Sequence, residues 1–167
     1  MEHRYLKIAL TLSVGLLAFF YVAHNLANWS SATGAVGYVL SQQQHEVYPV
    51  SLVPAIADPT VHALVTAVIC IGEAAAAIFA LLGAWRLWSA RRADAAVFTA
   101  AKSTAVIGAG LAALVWFLFA VFGGALYQMW QTEVGAGSLE GAWQFSGLSF
   151  LTLIYLSLPE GEPGAGW

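Results

Sequence analysis

The sequence predicts an all-α membrane protein, a four-helix transmembrane bundle with both termini cytoplasmic. Three observations carry that prediction. Of 167 residues, 60% are hydrophobic and only 9% are charged, against about 25% charge in soluble domains. The mean hydropathy is +0.74. All six basic residues (Arg4, Lys7, Arg86, Arg91, Arg92 and Lys102) lie before the first apolar run or between the second and third. A single transmembrane domain accounts for the chain, with no room for a soluble catalytic domain. No basic patch suits nucleic acid, and the single Cys70 excludes an intrachain disulfide or a multi-cysteine metal site. Inside a span this cysteine serves as a small apolar residue.

The first span is expected over 6–28, since crossing takes ~20 apolar residues. Arg4 and Lys7 ahead of it also resemble a signal peptide, but the long apolar run 8–23 favours a retained helix. The outer loop 29–60 has no Lys or Arg. Pro49, Pro54 and Pro59 forbid a continuous helix through its second half. Within its first half, TGAVGYVLSQ allows a short interfacial helix. The second span is expected over 61–88, with Asp58 or Thr60 as N-cap and Pro59 in the first turn. A basic turn follows, then a third span over 103–127 that Gly123-Gly124 loosens at its outer end. Residues 128–141 read as a short polar loop, 142–158 as a short fourth span, and 159–167 as a disordered tail.

The one-sided basic residues place both termini in the cytoplasm by the positive-inside rule. Trp29, Trp130 and Trp143 then mark the outer interface and Tyr5, Trp85 and Trp88 the inner one. Trp85, Arg86, Trp88, Arg91 and Arg92 form a cytoplasmic anchor. Gly72, Ala76, Ala80 and Ala84 recur every fourth residue, as do Ala105, Ala109 and Ala113. Small residues at this spacing let helix backbones approach closely in lipid, so the second and third spans are expected to pack as antiparallel neighbours.

Several motifs together resemble a bacterial family of predicted small integral membrane proteins, a domain of unknown function. They are Gly83-Ala84-Trp85-Arg86-Leu87-Trp88 with its basic turn, Ala101-Lys102, Trp116, Gly123-Gly124, Met129-Trp130 and Leu158-Pro159-Glu160, with His62 and Glu73 eleven apart. The resemblance covers roughly 5–160 and is least along the loop 29–60. It implies four transmembrane helices and a multi-pass place in the bacterial inner membrane, and it implies no activity.

Glu73 is the foremost candidate. Counted from either end of its span it lies ~18 Å deep, near the midplane. An ionisable group there costs about 3 kcal/mol and is a functional candidate by default, weighed against the reading in which Glu73 fixes helix register by interhelical hydrogen bonds. With no Lys or Arg at that depth, the neutral acid is the expected form at pH 7. Trp116 and Ser149 lie at the same counted depth and offer hydrogen bonds. His62 stands three turns above Glu73 on one helix face, with Thr66 between. His24, Asn25 and Asn28 form an outer polar rim. His24 and His62 at similar depth raise haem b, although packed helices ~8–10 Å apart leave little room for it. His45 would complete a three-histidine zinc site, a weak pattern, so no metal ligand is assigned. No cofactor is expected, with haem or quinone the alternatives. Nucleophile elbows and phosphate-cradling loops are absent from the sequence.

The expected function is that of a small non-catalytic membrane subunit or accessory protein that packs against a larger membrane complex or another copy of itself. The alternatives are a proton- or cation-coupled conductor using Glu73 and a quinone- or haem-binding anchor.

Overall fold

A computed structural model describes residues 2–160. Five helices follow one another: α1 (Glu2–Ala27), α2 (Trp29–Leu40), α3 (Pro59–Ala90), α4 (Ala95–Phe119) and α5 (Glu133–Ser157). A π-helical segment, Ala120–Leu126, prolongs α4, and one 3-10 turn, Met129–Gln131, precedes α5. The described chain is an all-helical bundle.

Three stretches are long and apolar enough to cross a membrane: Glu2–Ala27, Pro59–Ala90 and Ala95–Leu126. The expectation of four is therefore corrected to three. α5 is long at 25 residues, but Glu133, Glu140 and Gln144 stand in its first half and Ser146, Ser149 and Thr152 on its buried face. It still runs the length of the bundle: Ser146 Oγ donates to the Ala113 carbonyl at 3.1 Å, and Leu158 reaches Lys102 at the far end.

Successive long helices run antiparallel. Tyr5 meets Trp88 at one level and Asn25 meets Glu73 at another, pairing α1 with α3. The α3–α4 seam is the closest approach. Ala76, Ala80, Ala105 and Ala109 are buried, as their spacing requires, but the contact is closed by two glycines. A Cβ on Gly83 would stand 2.5 Å from the Ala105 Cα, and one on Gly108 would run into the Ala80 backbone. One core cluster joins Ile8, Leu87, Phe98, Ala109 and Leu156 from four helices. A second joins Val14 and Ala18 of α1 to Ala76, Ala80 and Ala112.

Helix ends differ from the expected ones for identifiable reasons. α2 occupies the first third of the 29–60 loop, beginning directly after Asn28, whose φ −118° and ψ 41° break the rod. Asp58 rather than Thr60 is the N-cap of α3 and accepts from the Thr60 amide at 2.8 Å. α4 starts at Ala95, eight residues before 103, because the alanine-rich stretch after Asp94 is already helical. α5 starts at Glu133 rather than 142, because Thr132 Oγ1 accepts from the Gly135 amide at 3.1 Å and nucleates it. The expected polar loop 128–141 thus shrinks to a few residues.

The start of the expected disordered tail is instead docked. Lys7 Nζ donates to the Leu158 carbonyl at 3.0 Å and to Glu160 Oε1 at 2.6 Å. Lys102 Nζ makes the same pair of bonds, at 2.8 and 3.0 Å. The remainder of that tail, 161–167, lies outside the described residues.

Candidate functional site

Depth along the bundle follows from helix geometry and the rings at the basic end. Arg4 Nη1 donates to the Ala93 carbonyl at 2.6 Å, Tyr5 meets Trp88 with ring centroids 6.2 Å apart, and Arg91 lies 4.1 Å over the Trp88 ring. Arg86 donates to Thr104 Oγ1 across the α3–α4 seam. Trp85 and Arg92 are exposed beside them. The anchor expected from Trp85, Arg86, Trp88, Arg91 and Arg92 is thus gathered at one end, together with both ends of the described chain.

Measured from Trp88, Glu73 lies fifteen residues along α3, ~22 Å at 1.5 Å per residue. α3 has 32 residues, more than a ~30 Å hydrocarbon layer needs.

Glu73 faces the bundle interior and is 1% exposed. Its Oε2 accepts from Asn25 Nδ2 of α1 at 2.9 Å. Its Oε1 is buried and has no hydrogen-bond partner among the described residues. Trp116 and Ser149 were the expected partners, and neither is the one found. The Ser149 hydroxyl is itself buried without a partner among the described residues. Trp116 is level with Glu73, since Val115 packs on Gly72, but it joins an aromatic cluster instead. Its ring centroid is 4.8 Å from Tyr21 and 5.4 Å from Phe145, and Tyr21 is 4.9 Å from Phe145. Tyr21 is one turn below Asn25 on the same face of α1. The three rings, from α1, α4 and α5, close the bundle beneath the Asn25–Glu73 pair.

Asn25 therefore leaves the expected outer rim for the interior, while His24 and Asn28 remain exposed and Asn28 Nδ2 caps the His24 carbonyl at 3.0 Å. Its placement on the Tyr21 face was the available signal, and α1, apolar nearly throughout, obscures which face is inward. His62 does not extend a polar line to Glu73. Its Nε2 donates to the Ile56 carbonyl at 2.8 Å, and its ring lies against Gly37 of α2, where a Cβ would fall 2.6 Å from Nδ1. His62 thus pins the outer loop to α3. No three His, Cys, Asp or Glu side chains among the described residues could hold a metal ion, so His24, His45 and His62 do not converge.

Chemically, the site is one carboxyl clamped by one amide inside an apolar bundle. In its neutral form Oε1 carries a proton. In its ionised form that oxygen would be a buried charge with no donor among the described residues, the state that apolar surroundings penalise most.

The chain belongs to the family of predicted small integral membrane proteins (DUF2165), whose profile matches residues 3–159. No curated protein and no solved structure matches it.

Proposed function

We propose that this integral membrane protein is a non-catalytic accessory subunit of the bacterial inner membrane, with its basic end in the cytoplasm, and that Glu73 fastens α1 to α3. The observation that carries the reading is the Asn25–Glu73 hydrogen bond, an interhelical polar contact whose carboxyl is 1% exposed. Bonds of this kind are a normal means of joining helices in lipid. The small-residue stripes are consumed within the chain, so a partner helix would meet the bulky face of α3. There Leu64, Val68, Ile71, Ile78, Leu82 and Trp85 are exposed at successive steps of four, three, seven, four and three residues, the spacing of a helix-packing seam.

Purification in mild detergent followed by native sizing tests this. A larger assembly is expected, and Ile71→Ala with Ile78→Ala should dissolve it while the fold persists. A sample that runs only as a monomer would sink the reading. The second reading, proton transfer through Glu73, is favoured by its Oε1, which has no partner among the described residues. It demands that Glu73→Gln fold normally yet abolish proton flux in vesicles, whereas a fastener tolerates that exchange.

A further inference from the structure

At the outer end of the bundle α2, α3, the π-helical extension of α4 and the start of α5 leave a cleft of about 540 Å³ between them. Val65, Ile69, Leu118, Phe119 and Phe122 supply its walls. It starts one turn outward of Glu73, and Val115 packed on Gly72 stands between the two. From these walls the geometry points to a binding site for one acyl chain of an outer-leaflet phospholipid.

Depth is the first argument. Val115 and Phe122 stand ~17 and ~27 Å beyond Thr104 along α4, and Thr104 is held level with Arg86 at the basic end. In a ~30 Å hydrocarbon layer those positions lie among the chains of the far leaflet. Lining chemistry is the second. Three hydroxyl-bearing residues, Tyr38, Tyr127 and Ser138, are among those that line an otherwise apolar cleft. Tyr38 already donates to Gln44 at 2.8 Å and Ser138 to the Val134 carbonyl at 2.9 Å. A quinone headgroup needs several donors for its carbonyls, whereas hydrocarbon needs none. Size is the third. The cleft runs beside Val61–Ile69, ~12 Å of helix. Its volume falls within the ~300–1,000 Å³ usual for ligand sites.

Local backbone supports a built site. The lining includes Phe122 and Gly123 inside the π-helical segment, a geometry often found at functional positions. Gln128, just beyond it, is left-handed at φ 52°, a conformation that persists only where its surroundings impose it.

The test uses the full chain in vesicles of a phosphatidyl lipid that carries a photoactivatable diazirine on one acyl chain. After irradiation, labelled residues are mapped by mass spectrometry. Labelling should concentrate on Val65, Phe119 and Phe122 over Leu26 and Phe117, which are exposed at comparable depth. Val65→Phe, which fills the cleft, and Val68→Trp, which narrows its rim, should each lower cleft labelling several-fold without changing helicity. The second variant decides the matter if the first fails to fold. Labelling spread evenly over cleft and controls would overturn the inference. So would unchanged cleft labelling in the folded variants, a prenylquinone in place of phospholipid in the organic extract, or crosslinks from the cleft to a second copy of the chain.

Discussion

A single amide separates a tolerated buried carboxyl from an orphaned one. Asn25 provides the one hydrogen bond that Glu73 makes among the described residues, and losing it leaves both carboxyl oxygens without a partner there. Asn25→Ala should therefore lower stability by about 1–3 kcal/mol, read as a drop in the unfolding midpoint in detergent. Glu73→Gln keeps the size and an acceptor for Asn25, so its midpoint should stay near that of the parent. Glu73→Ala removes the acceptor and opens a void, and about 1–3 kcal/mol should be lost. Equal midpoints for Asn25→Ala and the parent would refute the fastening role. At this scale the sequence showed which group was exceptional and not what it touched. Depth counting ranked Trp116 and Ser149 as partners because it ignores azimuth, and azimuth around α1 was unreadable in a helix apolar on nearly every side.

At the scale of helices, the α3–α4 seam is the element that tolerates least. The alanine stripes were visible at four-residue spacing, and their burial follows from it. Gly83 and Gly108 lie off those stripes, yet they set the backbone distance, since the facing chain occupies the space a Cβ would take. Gly83→Ala and Gly108→Ala should each cost about 1–3 kcal/mol through overpacking, whereas Gly137→Ala, with open space around it, should be neutral or stabilising by up to about 1 kcal/mol. Comparable losses at all three positions would mean that the seam does not bear on these glycines. The ends of α4 and α5 differ from the expected ones for a related reason. A span is recognised by apolar length, but a helix continues through polar residues when a cap and good helix formers allow it. Thr132 with Glu133, and the alanines after Asp94, allow it here.

The whole molecule is latched at its basic end. Glu160 is nearly buried beside Arg4, Lys7 and Lys102, with Arg4 Nε 3.7 Å from its Oε2. Burial pushes the Glu160 carboxyl up, but the hydrogen bonds and charges of Lys7 and Lys102 outweigh that and hold it below its ordinary value of 4.5. A carboxyl depressed in the folded state adds stability above its ordinary value, and that stability is lost as pH falls through the folded value. Detergent-solubilised protein should thus lose stability as the pH falls below about 4.5, and Glu160→Gln should flatten that part of the curve. Glu160→Ala should cost about 3 kcal/mol, because two buried lysines lose their anion. An unchanged acid limb in Glu160→Gln would show that the latch does not contribute. Orientation belongs to the same scale. With Cys70 buried, a single cysteine at the exposed position Gln43 should react with an impermeant maleimide from outside, and one at Asp94 should not. The opposite pattern would invert the bundle.

Composition and the order of apolar and basic residues by themselves determined that this chain is a helical membrane protein, where its polar interruptions fall, and which residues gather at one end. Those are properties of transfer from water to hydrocarbon, summed along the chain. Tertiary structure alone decided that Asn25 meets Glu73, that His62 pins α2, that Glu160 closes the basic end, and that an apolar cleft remains beside the π-helical turn. Each joins helices far apart in sequence. In spans that are apolar all round, only packing selects which face turns inward, because hydrophobicity gives no preference among faces.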